Sequence, residues 1–307
     1  MHANARVYVA GRATMVGDAI ARTLAADRSV TVIADADPPF DDPPAVEHFF
    51  ATTRPEYVFV AAGKSAGIAG NTERPADLML DNLFVAGTVI PAAWRHGVRK
   101  LLYLASSCTY PKLAPQPMQV SALGTGALEP TSAAYATAKL AGLALCDAFH
   151  SQHGARFIPA IVGDAYGPGD DFTPERSHVV AGLIRRIHEA KAAGRPSVDV
   201  WGSGEPRREF IFVDDLADAC AFVMREFDGP GPVNVGSGVV SSIAELAEQV
   251  RRTVGYAGTL RFDRSRPDGM PFKGLDTAPL RAMGWSPRWD LAAGLAKTYE
   301  WFLASSM

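Results

Sequence analysis

The chain opens with a short apolar run that passes through a glycine-rich turn into a helix pattern, "VYVAGRATMVGDAI", and this constrains the fold more than any other feature. The same alternation then repeats: "VTVIAD", "PAVEHFFATTR", "YVFVAAG", "LDNLFVAGTVIPAAWRHGV", "KLLYLASS", "AAYATAKLAGLALCDAFHSQHG" and "RFIPAIVGDAYGP". Strand and helix in alternation, with short connections, predict a parallel sheet covered by helices on both faces. The expected fold is therefore α/β, a Rossmann-type doubly wound parallel sheet over residues 1–165. Beyond "YGPGDDFTPERSHVV" the texture changes to Pro- and Gly-rich loops such as "AAGRPSVDVWGSGEPRREF" and "RSRPDGMPFKGLD". A smaller, interleaved α/β region over 166–307 is expected there, with its segment 208–228 returning to the first domain.

Composition narrows the partners. The 307 residues are 48% hydrophobic and 21% charged, enough for a large core in one or two domains. A net charge of −3 gives no reason to expect nucleic acid or an anionic membrane, whereas a small anionic ligand needs only a local cluster. The three cysteines, Cys108, Cys146 and Cys220, cannot pair completely and have no metal-ligand spacing. A reducing, cytoplasmic location and no metal are expected. The start "MHANARVYVAGRATMVG" has no apolar leader, and no window of about 18 residues is continuously apolar, so neither secretion nor a membrane span is expected.

The first turn is where a dinucleotide pyrophosphate would meet backbone N–H groups and the positive end of a helix. Glycines are expected at 11, 14 and 17, but position 14 is Thr, which adds a side chain where bare backbone would approach the phosphates. Asp35, 18 residues after Gly17, is placed to accept from the adenosine ribose hydroxyls and favours NAD. Arg12 favours NADP, because it could reach a 2′-phosphate. Candidate cofactor contacts are Gly11, Arg12, Met15, Val16, Gly17, Asp35 and Ala62, together with Tyr135 and Lys139.

Chemistry is concentrated in two stretches. In "LLYLASSCTYPKL" an apolar strand ends in Ser106, Ser107 and Cys108; in "AAYATAKLAG" Tyr135 and Lys139 are four apart on one helix face. An ammonium one turn from a phenol is expected to lower its pKa. The pair could then exchange a proton with a substrate oxygen while hydride moves at a nicotinamide. Ser106 is the first candidate to hold that oxygen, and Ser107 the second.

These stretches, with Gly11 to Gly17, resemble the extended short-chain dehydrogenase/reductase superfamily. The longer runs "AAGKSAGIAGNTERPAD", "LLYLASSCTYPKLAPQPM", "LEPTSAAYATAKLAG", "SHVVAGLIRRIHEA", "VWGSGEPRREFIFVDDLA" and "RPDGMPFKGLD" resemble the GDP-L-fucose synthase family within it, over nearly the whole chain. The resemblance implies an NADPH-dependent 4-keto-6-deoxyhexose reductase that also epimerises C3 and C5 of the nucleotide sugar. It implies that Cys108 and His178 act as the epimerising base and acid beside Ser106, Tyr135 and Lys139, with Lys139 and the imidazole expected to support a Cys108 thiolate. Arg208 is implied to hold the substrate diphosphate, with Lys273 a second candidate. Ser107, Asp164, Arg186 and Trp201 complete the expected substrate contacts. A homodimer is also implied, through "NLFVAGTVIPAAWRHG" and the helix that carries Tyr135.

The chain departs from that pattern at Thr14 and "ADAD", which make NADH as well as NADP(H) an expected cofactor. Asp164 and Asp171 stand where Asn is usual, Phe212 where His is usual and Phe272 where Arg is usual, which points to altered sugar or base selection. The alternatives are a dTDP-4-keto-6-deoxyhexose reductase without epimerase activity and, from another class, a non-catalytic dinucleotide-binding regulator. A 4,6-dehydratase would need an Asp-Glu pair where this chain has Ser107 and Cys108.

Overall fold

The computed structural model describes residues 1–174 and 176–305. The chain begins with β1 (Ala5–Ala10), α1 (Met15–Ala26), β2 (Val30–Val32), α2 (Pro43–Thr53) and β3 (Tyr57–Val60). It continues with α3 (Ile68–Glu73), α4 (Pro75–Arg95), β4 (Lys100–Ser106), α5 (Ala133–His153) and β5 (Phe157–Val162). The strands pair in parallel in the order β2-β1-β3-β4-β5. Successive side chains of a strand point to opposite faces, so each strand feeds two cores. Tyr8, Val58, Val60, Leu101 and Tyr103 enter the core on one face. Val7, Val9, Phe59, Leu102 and Leu104 enter the other. Burial on both faces is why these strands read as continuous apolar runs rather than as alternating ones. Each such side chain contributes about 1.5–3 kcal/mol.

The second half supplies β6 (Asp164–Tyr166), α6 (Val179–Ala192), β7 (Ser197–Trp201), β8 (Arg207–Phe212), α7 (Val213–Glu226) and β9 (Val233–Val235). It ends with β10 (Val240–Ser242), α8 (Ile243–Val254), β11 (Thr259–Asp263), β12 (Phe272–Lys273), α9 (Ala278–Ala282) and α10 (Leu291–Ser305). The segment 208–228 divides. Its strand β8 stays out of the main sheet and pairs with β6, β10 and β12. Its helix α7 packs on α1, and β9 closes the main sheet beside β5. A third core, including Val180, Leu183, Ile187, Leu246 and Phe302, holds the second region together. Helix α8 starts with a reciprocal cap between Ser242 and Glu245. Helix α4 is long and apolar enough to cross a membrane by length and composition alone, and half of its apolar window is buried in the fold.

Candidate active site

The carboxyl ends of β1, β3, β4 and β5 open on a cleft of about 1660 Å³, roofed by the start of α6, by β8 and by the segment around Lys273. At its dinucleotide end, Gly11 has φ +88°, and a Cβ there would lie 2.5 Å from the Ala62 backbone nitrogen. A Cβ on Gly17 would lie 2.0 Å from the Gly11 carbonyl oxygen, so strand, turn and helix touch backbone to backbone. Thr14 stands on the wall of the cleft with its hydroxyl turned back onto the turn. It caps α1, its hydroxyl accepting from Gly17 N–H at 3.0 Å and donating to Gly11 C=O at 2.8 Å. The N–H groups of Met15 and Val16 remain at the positive end of the helix, where a first turn provides no intrahelical acceptor.

The acid that reaches this turn is Asp37 rather than Asp35. Its carboxylate accepts from Gly11 N–H at 2.9 Å and from the Tyr8 hydroxyl at 2.7 Å. Asp35 and Arg12 are exposed. Strand β2 is only three residues long, and the chain leaves it before reaching Asp35. The close backbone turn, the free helix terminus and the adjoining cleft fit a dinucleotide.

At the chemistry end, β4 delivers Ser106 to the cleft and a single 3₁₀ turn, Ser107–Thr109, then reverses the side chains. Ser106 and Cys108 line the cleft. Ser107 is 1% exposed and points into the protein, so it is not among the groups that face a substrate. Burial, reinforced by the charges of Cys108 and Asp164 and opposed by the neighbouring Ser106 hydroxyl, pushes the Tyr135 phenol well above the usual range. This reverses the expectation of a phenol lowered by Lys139. The Lys139 ammonium lies 6.0 Å from the Tyr135 ring centroid and donates to the Leu104 carbonyl at 3.2 Å. Burial lowers the Lys139 pKa to about 8.

Lys273 was expected near a diphosphate, but its Nζ lies 3.8 Å from Cys108 Sγ and donates to Asp164 Oδ1 at 2.5 Å. Lys273, not Lys139, is the cation beside the cysteine. The His178 Nε2 lies 3.1 Å from the Ser65 hydroxyl, at the N-terminus of α6. Arg208 lines the same cleft, donates to the Arg207 and Asp268 carbonyls, and is lowered chiefly by burial. Trp201 is 51% exposed, with the guanidinium carbons of Arg186 and Arg266 at 5.5 and 5.0 Å from its ring centroid. Asp171 is tied to Thr173 and Arg176 in its own turn. Among the described residues no cluster of three His, Cys, Asp or Glu could hold a metal.

Three participants escaped the sequence reading: Asp37, Ser65 and Asn82. Asn82 is 1% exposed, donates to the Lys64 and Leu78 carbonyls at 2.8 and 2.7 Å, and leaves its Oδ1 without a partner among the described residues. A Cβ on Gly63 would lie 2.3 Å from that oxygen and 3.4 Å from Lys139 Nζ, so the Asn is packed close to the buried ammonium. An amide inside an apolar helix was the available signal.

A parallel sheet ending in a glycine turn, with Ser, Tyr and Lys at one cleft, defines a dinucleotide-dependent enzyme, and the chain belongs to the NAD dependent epimerase/dehydratase family, whose model matches residues 7–236. Within it the similarity is to GDP-L-fucose synthases. GDP-L-fucose synthase 1 of Arabidopsis thaliana is 46% identical over 98% of this chain and 94% of its own length. The GDP-L-fucose synthase of Escherichia coli K12 is 45% identical over 97% of this chain and 96% of its own. Among solved structures, a GDP-mannoheptose C4 reductase from Campylobacter jejuni with NADP bound superposes with a TM-score of 0.88 at 30% identity, covering 99% of both chains.

Proposed function

We propose that the protein is a GDP-sugar 3,5-epimerase and 4-reductase acting on a 4-keto-6-deoxyhexose. The observation that carries this reading is the 3₁₀ turn after β4, which brings Ser106 and Cys108 to one cleft beside Tyr135. Ser106 and Tyr135 hold the keto oxygen, and Cys108 then reaches a carbon next to the carbonyl. Removing a proton there requires that the developing enolate oxygen be stabilised, which the two hydroxyls supply. Cys108 as thiolate takes the proton, and protonated His178 returns one to the opposite face. In the reductive stage a nicotinamide held at the dinucleotide end would supply the hydride for C4. Tyr135, kept protonated by burial, gives its proton to the oxygen. Lys139 holds positive charge near the phenolate that results.

Arg208 suits the diphosphate, and exposed Trp201 between Arg186 and Arg266 suits a base with flanking phosphates. For the cofactor, Arg12 suits a 2′-phosphate, while the acids Asp35 and Asp37 suit free ribose hydroxyls; we read the site as accepting NADH as well as NADPH. Leu80, Phe84 and Trp94 are exposed along α4 at 50%, 41% and 40%, which supports pairing of α4 and α5 with a second copy. A cytoplasmic location accords with three unpaired cysteines.

Turnover of GDP-4-keto-6-deoxymannose in D₂O, with each cofactor in turn, tests the reading. Reduced product carrying deuterium at C3 and C5 is expected. Reduction without deuterium leaves a plain ketoreductase. Turnover restricted to a dTDP-linked ketosugar would reject the GDP assignment, and failure to bind either dinucleotide would leave a non-catalytic protein.

A further inference from the structure

The ion pair between Asp164 and Lys273 is placed against the sulfur of Cys108, and no step of the reaction above uses Asp164. Strand β8 pairs with the strands that carry both partners. Asp164 opens β6 opposite Phe210, and Lys273 ends β12 opposite Arg208. Between those positions Glu209, 2% exposed, accepts the backbone N–H groups of Leu275 and Gly238 at 2.5 and 2.6 Å. The chain just after Lys273 is thereby fixed, and the residue, 8% exposed, has little room to turn its ammonium away. Its donors meet Asp164 Oδ1 at 2.5 Å and Cys108 Sγ at 3.8 Å. Burial alone would lower the Lys273 pKa, yet the charges of Asp164 and Cys108 outweigh burial and Arg208 and hold it above its ordinary value. The charged and titratable groups around the sulfur are thus Lys273 from β12, Arg208 from β8, Asp164 from β6 and Tyr135 from α5.

We propose that Asp164 is a positioning residue that restrains Cys108: it keeps the Lys273 ammonium beside the sulfur and cancels part of its charge, holding down the thiolate population. The same sulfur next to an uncompensated ammonium would be more reactive. The pair therefore sets the balance between proton exchange at carbon, which needs the thiolate, and hydride transfer, which does not. This deepens the proposed reaction and rests on it for that last consequence alone.

Alkylation of the full-length protein by iodoacetamide at neutral pH, read by peptide mass, tests the restraint without any sugar. Cys146 and Cys220 are 0% exposed and serve as internal controls. Asp164→Asn keeps an oxygen for the ammonium and removes the charge, so Cys108 alkylation is expected to accelerate about tenfold, with its pH profile moved to lower pH. Lys273→Met is expected to slow it, and the double variant to return near the unmodified rate. An Asp164→Asn rate equal to or below the unmodified one overturns the proposal, as does a double variant as fast as Asp164→Asn alone. Should Asp164→Asn not fold, Lys273→Met decides: unchanged or faster alkylation rejects the coupling. With substrate, Asp164→Asn should raise deuterium incorporation relative to reduction; absence of any sugar turnover would count against the substrate assignment and leave the alkylation result standing.

Discussion

The two ends of the cleft are built on opposite principles. At the dinucleotide end the polar groups satisfy one another locally: Thr14 closes on Gly11 and Gly17, and Asp37 closes on Gly11 and Tyr8. At the chemistry end, groups from distant segments are held in environments that oppose their ordinary ionisation. Tyr135 is raised and Lys139 lowered, each chiefly by burial, and the Asn82 carbonyl oxygen nearby has no partner among the described residues. The first end is a stable shape that a ligand can use, and the second stores unfavourable burial that the reaction can use. Substitutions should therefore cost stability at one end and chemistry at the other.

The largest effect that would break this comparison is at Tyr135. Tyr135→Phe removes the proposed proton donor, a half-buried hydroxyl on the cleft wall. Ketone reduction, followed by loss of reduced-nicotinamide absorbance, should fall by about 10²–10⁴. Dinucleotide affinity and thermal midpoint should stay close to those of the parent. A loss of both affinity and stability would mean that the phenol belongs to the scaffold, and the division between the two ends would fail.

Lys139 sharpens the same point through pH. Its folded pKa is about 8, against an ordinary 10.5. Between those values the unfolded chain holds the extra proton, so the stability of the cofactor-free protein should rise with pH across this window. In the proposed reaction the ammonium faces the developing phenolate, so reduction should be full below about 8 and fall above it. Opposite slopes in denaturation and turnover are the expected signature. Lys139→Met should remove the charge-burial cost, of order a few kcal/mol at neutral pH, raising the thermal midpoint while nearly abolishing turnover. Parallel slopes would show that the lysine's charge is not buried at a cost.

How much of this was legible in the sequence follows the same division. Gly11, Gly17 and the pair Tyr135 and Lys139 lie within single strand, turn or helix segments, where spacing fixes geometry. The sequence ranks Ser106 before Ser107, but only the 3₁₀ turn decides which side chains face the cleft. Asp37 was not legible beside Asp35 because the end of a three-residue strand leaves no pattern to count from. Lys273 reaches Cys108 across 165 residues, and β8 joins a sheet of its own through pairings with β6, β10 and β12. Such juxtapositions are made by tertiary packing and have no local period. The Tyr135 shift had the wrong sign for a related reason: the spacing to Lys139 was visible, but the burial that outweighs it was not.

The smallest effect is at Thr14, and it separates a capping role from a ligand role. Thr14→Ala removes the acceptor for Gly17 N–H and should cost about 1 kcal/mol in urea denaturation, while Thr14→Gly should cost only a few tenths. The freed N–H would then point toward the phosphate path beside those of Met15 and Val16, so dinucleotide affinity, measured by calorimetry, should hold or tighten. Unchanged stability with affinity weakened tenfold or more would make the Thr14 hydroxyl itself a phosphate ligand. The dinucleotide end would then hold its partner by a side chain rather than by a self-satisfied backbone, and the contrast with the chemistry end would narrow to the buried Lys139 ammonium alone.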